Sequence, residues 1–221
     1  MNYLAHGRFF THDPYLLAGT AAPDWLAVID RRMRLRSKNA APHIHDDDPQ
    51  FASFARGVLQ HQADDAWFHQ QPAFVDLSLQ FTLRIRDLLA PDDGFRPSFV
   101  GHILVELLMD GCLDEDDPAL LTNYYAALAA LDPAVVQQQT NRLATKETKL
   151  LAKFIPRFHS ERFLADYRDD QRLLFRLNQV MKRVQLPPLP ETFLQLFPVA
   201  RTQVRDRLAE LLPQEPLSFP S

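Results

Sequence analysis

Three observations predict an all-α fold, a bundle of helices. Only six of the 221 residues are Gly and alternating β-branched stretches are nearly absent, so strand and hairpin signals are scarce. Apolar residues recur instead at spacings of three and four. Pro and Asp stand where those periodic stretches begin and end.

Read in chain order, the pattern predicts helices over 13–21, 49–70, 75–90, 97–113, 117–130, 133–155, 159–184 and 190–212. The second opens on Asp48 as N-cap with Pro49 at the first helical position. The stretch 31–48, from Arg31-Arg32-Met33-Arg34 to Asp46-Asp47-Asp48, reads as a charged loop. Pro187-Pro188-Leu189-Pro190 breaks the chain before the last helix, and 213–221 reads as a loose tail. No internal repeat is visible. Seven of the eight His lie between residues 6 and 102, which places the chemistry in 1–125. Residues 126–221 are expected to pack on that core as further helices within one structural domain.

An apolar share of 46% with 16 Phe suits a globular chain with a sizeable core. The net charge of −4 provides no electrostatic drive towards nucleic acid. Cys112 stands alone, which excludes an internal disulfide, and its apolar surroundings predict a buried small hydrophobe. No apolar run reaches the roughly 18 residues of a transmembrane helix. The opening Met1-Asn2-Tyr3-Leu4-Ala5-His6 lacks a basic region followed by a hydrophobic run, so no signal peptide and a cytoplasmic location are expected.

Two predicted helices share an anomaly. The inward stripe of 49–70 begins with Phe51, Phe54 and Val58 and continues, by the same steps, as His61, Asp65 and His69. The stripe of 97–113 runs Phe99, His102, Glu106, Asp110, Leu113. Buried imidazoles and carboxylates need hydrogen-bonding partners or a metal. One His on an apolar face is usually a satisfied core residue; two helices that interleave His with acids point to ligation. Residues i and i+4 rise ~6 Å along a helix and can share an ion, whereas i and i+8 rise ~12 Å and cannot easily do so. His61 with Asp65 is therefore expected at one ion, and His69 with His102 and Glu106 at a second. Asp110, read as lying near a helix C-terminus, calls for a nearby cation.

His6 and Asp24 join the set. Asp24 follows Gly19-Thr20-Ala21-Ala22-Pro23, where the pattern predicts that a helix ends, and it alternatively caps a short helix starting at Trp25. In the loop Pro42-His43-Ile44-His45-Asp46, His43 or His45 is expected to close the site from outside. His12 and His159 read as surface residues.

These residues resemble two families. Met-Asn-Tyr-Leu-Ala-His at the start, Leu17-Ala18-Gly19, Asp24, and then Gly57, His61-Gln62, Asp65 and Pro72 are similar to acyl carrier protein phosphodiesterases. That resemblance implies a helical, HD-domain-like hydrolase that uses Mn²⁺ and removes phosphopantetheine from acyl carrier protein. Gly19 to Pro23-Asp24, His61 to Asp65, His69, and His102 to Glu106 resemble zinc-dependent phospholipase C, which implies a phospholipase C-like bundle around a zinc cluster. That family also ligates metal through its mature amino terminus, which is not expected of a chain without a leader. Where the carrier-protein family has acids, this chain has His69, His102 and Glu106. Both resemblances cover about residues 1–125.

The expected chemistry is metal-dependent phosphodiester hydrolysis. Neutral imidazoles mixed with carboxylates suit Zn²⁺, or a mixed site with Mn²⁺ or Fe²⁺, and two or more ions are expected. A zinc-bound water has a pKa near ~7, and two ions ~3.5–4 Å apart hold attacking and leaving oxygens together. The ligands are expected to be His6, Asp24, His45 (or His43), His61, Asp65, His69, His102 and Glu106, with Asp24 or Asp65 as bridge. Asp64 or Asp110 is expected to orient a ligand or act as general base. There is no Gly-x-Ser-x-Gly elbow and no Gly-rich phosphate loop. The basic run Arg31, Arg32, Arg34, Arg36 and Lys38 reads either as a solvated loop or as a surface for an acidic protein such as acyl carrier protein or for a substrate phosphate. The alternative function is a non-catalytic helical binding or scaffold protein with a structural metal site.

Overall fold

A computed structural model of the chain describes residues 1–89 and 94–218. The end of the predicted helix 75–90, at residue 90, and the last three residues of the tail lie outside them. Among the described residues the fold is all-α. The only β pairing is one isolated bridge, Leu35 with Ala144. The elements are α1 (Tyr3–Gly7), α2 (Pro14–Ile29), α3 (Ser37–Ala40), a 3₁₀ turn (Ala41–His43), α4 (Pro49–Phe68), α5 (Pro72–Leu88), α6 (Pro97–Asp116), α7 (Pro118–Ala129), α8 (Pro133–Leu143) and α9 (Leu151–Glu161). A 3₁₀ segment (Phe163–Arg168), α10 (Asp170–Arg183), a second 3₁₀ segment (Glu191–Gln195), α11 (Phe197–Asp206) and α12 (Leu208–Leu211) complete the chain.

Helix starts follow one local device. Asp13, Asp48, Asp117 and Asp132 each precede Pro and accept hydrogen bonds from first-turn N–H groups. The carboxylate satisfies donors that no earlier turn can reach, and Pro has no N–H to leave orphaned. The bundle is organised by two helix pairs, α2 on α4 and α5 on α6. The first pair crosses backbone to backbone. A Cβ on Gly57 would stand 2.1 Å from the Leu16 carbonyl oxygen, and one on Gly19 would stand 2.2 Å from that of Phe54.

That crossing explains a correction to the sequence reading. The helix predicted to stop at residue 21 runs unbroken through Pro23 to Ile29. Proline normally ends a helix by removing a donor and crowding the preceding turn. Here the tight seam with α4 and the fully buried Trp25 and Leu26 hold the next two turns in place. Asp24 is thus inside a helix and caps nothing. The 31–48 loop contains α3 and a 3₁₀ turn.

The C-terminal half is more broken than periodicity predicts. Instead of one helix over 133–155, α8 ends at Leu143, and Asn141 and Thr148 exchange side-chain to backbone hydrogen bonds of 2.9 and 3.1 Å that turn the chain. The predicted 159–184 helix is cut at Arg162, whose φ of 44° is left-handed. Its apolar residues on both sides are buried, which keeps the amphipathic pattern continuous across the break. The predicted 190–212 helix is a 3₁₀ segment followed by α11 and α12. These elements pack on the first half: α9 meets α2, while Phe163–Arg168 and α11 meet α6. No single described helix is long and apolar enough to cross a membrane.

The glycine seam carries a direct test. Gly57→Ala forces α2 and α4 apart and is expected to destabilise the protein by about 3 kcal/mol, the upper range for overpacking, read as a lower urea midpoint at unchanged slope. A loss below about 0.5 kcal/mol would mean that the seam yields freely.

Candidate metal centre

Four helices deliver the candidate ligands: α1 brings His6, α2 Asp24, α4 His61 and Asp65, and α6 His102 and Glu106, with His69 at the cap of α4. The α4 stripe begins with Phe51, Phe54 and Val58, all fully buried, so the helix face that carries them turns His61 inward too.

The residues form two groups, His6 with His61 and Asp65, and His69 with His102 and Glu106, each with its ligand atoms within 4.8 Å of one another. In the first, the His6 and His61 rings stack with centroids 4.2 Å apart. The Nδ1 atom of His6 lies 3.0 Å from Asp64 Oδ2, and that of His61 lies 2.8 Å from the Thr20 carbonyl oxygen. With Nδ1 engaged, each ring presents Nε2, and both Nε2 atoms lie 3.4 Å from an oxygen of Asp65. A ligating imidazole is typically held in this way through its other nitrogen. A four-coordinate ion with bonds of about 2.1 Å has ligand–ligand edges of ~3.4 Å. In the second group, His102 Nε2 is 3.1 Å from Glu106 Oε1 and 3.3 Å from His69 Nε2, edges of the same size.

The groups adjoin. The Met1 amino nitrogen lies 2.7 Å from Asp65 Oδ1 and 3.3 Å from Glu106 Oε1. A positive nitrogen thus sits against both carboxylates. The groups differ in exposure. The His6 and His61 side chains are 0% and 7% exposed, whereas those of His69 and His102 are 39% and 38% exposed. The imidazoles of the first group are buried while its Asp65 is half-exposed, and the second group opens to solvent.

Electrostatics describe a region short of positive charge. Burial pushes the Asp24 carboxyl up to about 7, and the charges of Asp65 and Glu106 add to the push while His6 and the Met1 amine oppose it. Burial also works against the ionised forms of Asp65 and Glu106. His6, the Met1 amine and His61 outweigh it for Asp65, and the Met1 amine, His102 and His69 for Glu106, so both are held well below the usual carboxylate range. Burial pulls His6 down, but Asp64 and Asp65 raise it to about 9, while burial and the charge on His6 lower His61 to about 3. Among the eight buried side-chain atoms of the described residues that lack a hydrogen bond, His6 Nε2 and Asp24 Oδ2 stand at this centre. Orphaned buried polar atoms are rare and mark a missing partner. The donor set, the edge lengths and these orphans all fit a divalent cation.

The remaining predicted residues fall as follows. Asp64 orients: besides His6 it accepts from Gln60 Nε2 at 2.7 Å. Asp110 has no free oxygen for a general base. Its carboxylate accepts from Asn2 Nδ2, Leu4 N and Ala5 N, each at 2.9 Å, and so anchors the start of α1. The expectation of a cation near a helix C-terminus is likewise corrected, because α6 runs on to Asp116 and the charge is met by α1 donors. His45 is exposed and outside both groups, and His43 pairs with Asp46 at 3.2 Å and packs on Phe51, so neither closes the site. His12 is exposed, while His159 is half-buried with its ring near Tyr125. Sequence reasoning missed Met1, Thr20 and Gln60, whose parts depend on contacts across the fold or on a backbone carbonyl.

No family model, curated protein or solved structure matches the chain. Fold and site together define its class as a helical protein with two adjoining His₂-carboxylate groups.

Two predictions follow from the charge arrangement. The stability that a protonated Asp24 contributes is fully present below its ordinary pKa of 3.8 and is lost as pH rises through about 7. In chelator-treated protein, Asp24→Asn should therefore gain on the wild type across that window by up to ~1.4 kcal/mol per pH unit, read by urea titrations at several pH values; a constant difference would refute it. Asp110→Ala should cost about 3 kcal/mol and speed hydrogen exchange at the Leu4 and Ala5 amides, which slow exchange in the variant would contradict.

Proposed function

We propose that this protein is a metal-dependent phosphodiester hydrolase. The observation that carries the reading is the pair of adjoining His₂-carboxylate groups whose ligand atoms stand at coordination-edge distances. The mixed nitrogen and oxygen donors favour Zn²⁺, with Mn²⁺ or Fe²⁺ as alternatives. His6, His61 and Asp65 would hold one ion, and His69, His102 and Glu106 a second. Asp24, with an orphaned oxygen at the same place, is the further carboxylate available to either.

Cations held there supply Lewis acidity, which makes water nucleophilic near neutral pH and offsets charge building on a phosphoryl group. The chain's own residues do the positioning. Asp64 and the Thr20 carbonyl fix the ring orientations of His6 and His61, and Asp110 holds α1 so that His6 reaches the site. The resemblance of the opening motif and of the His61–Asp65 block supports a phosphodiester as the bond attacked, with phosphopantetheine on acyl carrier protein, a phospholipid or a small phosphodiester as substrates.

Protein purified without chelator should contain at least one equivalent of Zn²⁺, Mn²⁺ or Fe²⁺ and should hydrolyse bis(p-nitrophenyl) phosphate. His61→Ala and Asp65→Asn should each abolish that turnover. Bound metal with no turnover on any phosphodiester would leave a structural site in a scaffold, and activity surviving both substitutions would place the chemistry elsewhere.

A further inference from the structure

A cavity of about 790 Å³ opens beside the candidate metal centre. Met1, Asp24 and Glu106 line it, so one end is the centre itself. Arg31, Arg34, Lys182 and Arg183 also line it, and all four are exposed. Among the described residues no carboxylate lies within 4.0 Å of any of the four, whereas the nearby Arg157 and Arg176 are paired with Glu161. Arg31 donates instead to the Arg183 backbone carbonyl, and Arg34 to those of Arg31 and Met33. The chain therefore holds these cations together without neutralising them.

Helix α2 and the residues just past it line the cavity from one end to the other. Asp24, Ala27 and Val28 of α2 line the cavity, and Arg31 lines it two residues past the helix end at Ile29. The order is acid at the centre, one apolar turn, and a cation at the rim. Other elements supply apolar wall at the same level: Phe154 and Phe158 from α9, Phe163, and Val180 from α10. A purely apolar ligand would gain nothing from the rim, and a ligand with a single phosphate would leave either the rim or the centre unused.

We propose that the rim formed by Arg31, Arg34, Lys182 and Arg183 is a second anion-binding subsite. The ligand is then a small molecule with two acidic ends, a phosphodiester at the metal centre and a carboxylate or phosphate at the rim, joined by an apolar segment that lies along the wall of Ala27, Val28, Phe154, Phe158 and Val180. The inference rests on the phosphodiesterase reading for the inner end only.

The test uses the whole metal-loaded chain and two dialkylphosphinates, which mimic a phosphodiester but have no ester bond to cleave, with chains of equal length, one ending in a carboxylate and one in a methyl group. Calorimetric titration at fixed ionic strength should find the carboxylate-ended probe bound about tenfold more tightly, which is ~1.4 kcal/mol. Arg31→Gln with Arg183→Gln should erase that preference and leave the affinity for the methyl-ended probe unchanged. Because Arg31 also ties α2 to α10, the exposed pair Arg34→Gln with Lys182→Gln is the second variant and should at least halve the preference. Equal binding of the two probes by the wild type, or a preference that survives both double variants, would overturn the rim subsite. Failure of the metal-centre reading looks different: chelation would leave the affinity of both probes unchanged while the end-group preference persisted. Binding of neither probe would overturn both.

Discussion

Asp24, Asp64, Asp65, Glu106 and Asp110 converge from three helices on one largely buried region, and the like charge they bring has to be offset. Each carboxylate has a different answer. Asp110 is met by α1 backbone donors and Asn2, and Asp64 by His6 and Gln60. Asp65 and Glu106 are met by imidazoles and the Met1 nitrogen, and Asp24 by nothing that hydrogen-bonds its buried oxygen. Taking charges out of water is costly unless they are paired with good geometry. A fold that gathers five acids and leaves an oxygen of one of them without a hydrogen bond has a place there for positive charge.

The same concentration explains why a five-residue helix persists at the edge of the bundle. So short a helix is not stable by itself, because nucleation fixes several residues for very few hydrogen bonds. α1 survives because Asp110 accepts from its first amides, and Tyr3 and Leu4 are buried in the core. Structure and chemistry are coupled here: the acid that stabilises α1 also places His6 against His61. The tight α2–α4 seam does the equivalent work on the other side, bringing Thr20 to the Nδ1 atom of His61 and Asp24 to the same interior.

Charge is also laid out along the neighbouring cavity, with acids at the inner end and, at the rim, cations that no carboxylate among the described residues meets. Asp24, Ala27 and Val28 on α2 lead from the inner end towards Arg31, two residues past the helix. Segregation of opposite charges over one short apolar turn leaves neither end able to neutralise the other. This polarised wall is assembled by the C-terminal half: α9, the Phe163–Arg168 segment and α10 provide much of it. That half contributes no member of the two ligand groups, yet it shapes what can approach them.

Much of this was written in the chain order. Absent strand signals and three-four periodicity specified an all-α protein, because a helix face must repeat its apolar positions whatever it packs on. The polar interruptions at His61, Asp65, His102 and Glu106 were legible for the same reason: a face already committed to the core turns its polar residues inward. Helix breaks in the second half were not legible, since an amphipathic pattern continues across Arg162 and the turn after Leu143 without registering either. Nor could periodicity reveal that Pro23 sits mid-helix, that His45 stays outside, that Asp110 holds α1, or that Met1 meets Asp65 and Glu106. Those facts depend on which helices cross and at what distance. Local sequence determines the face a residue occupies; only the packed bundle determines what that face meets.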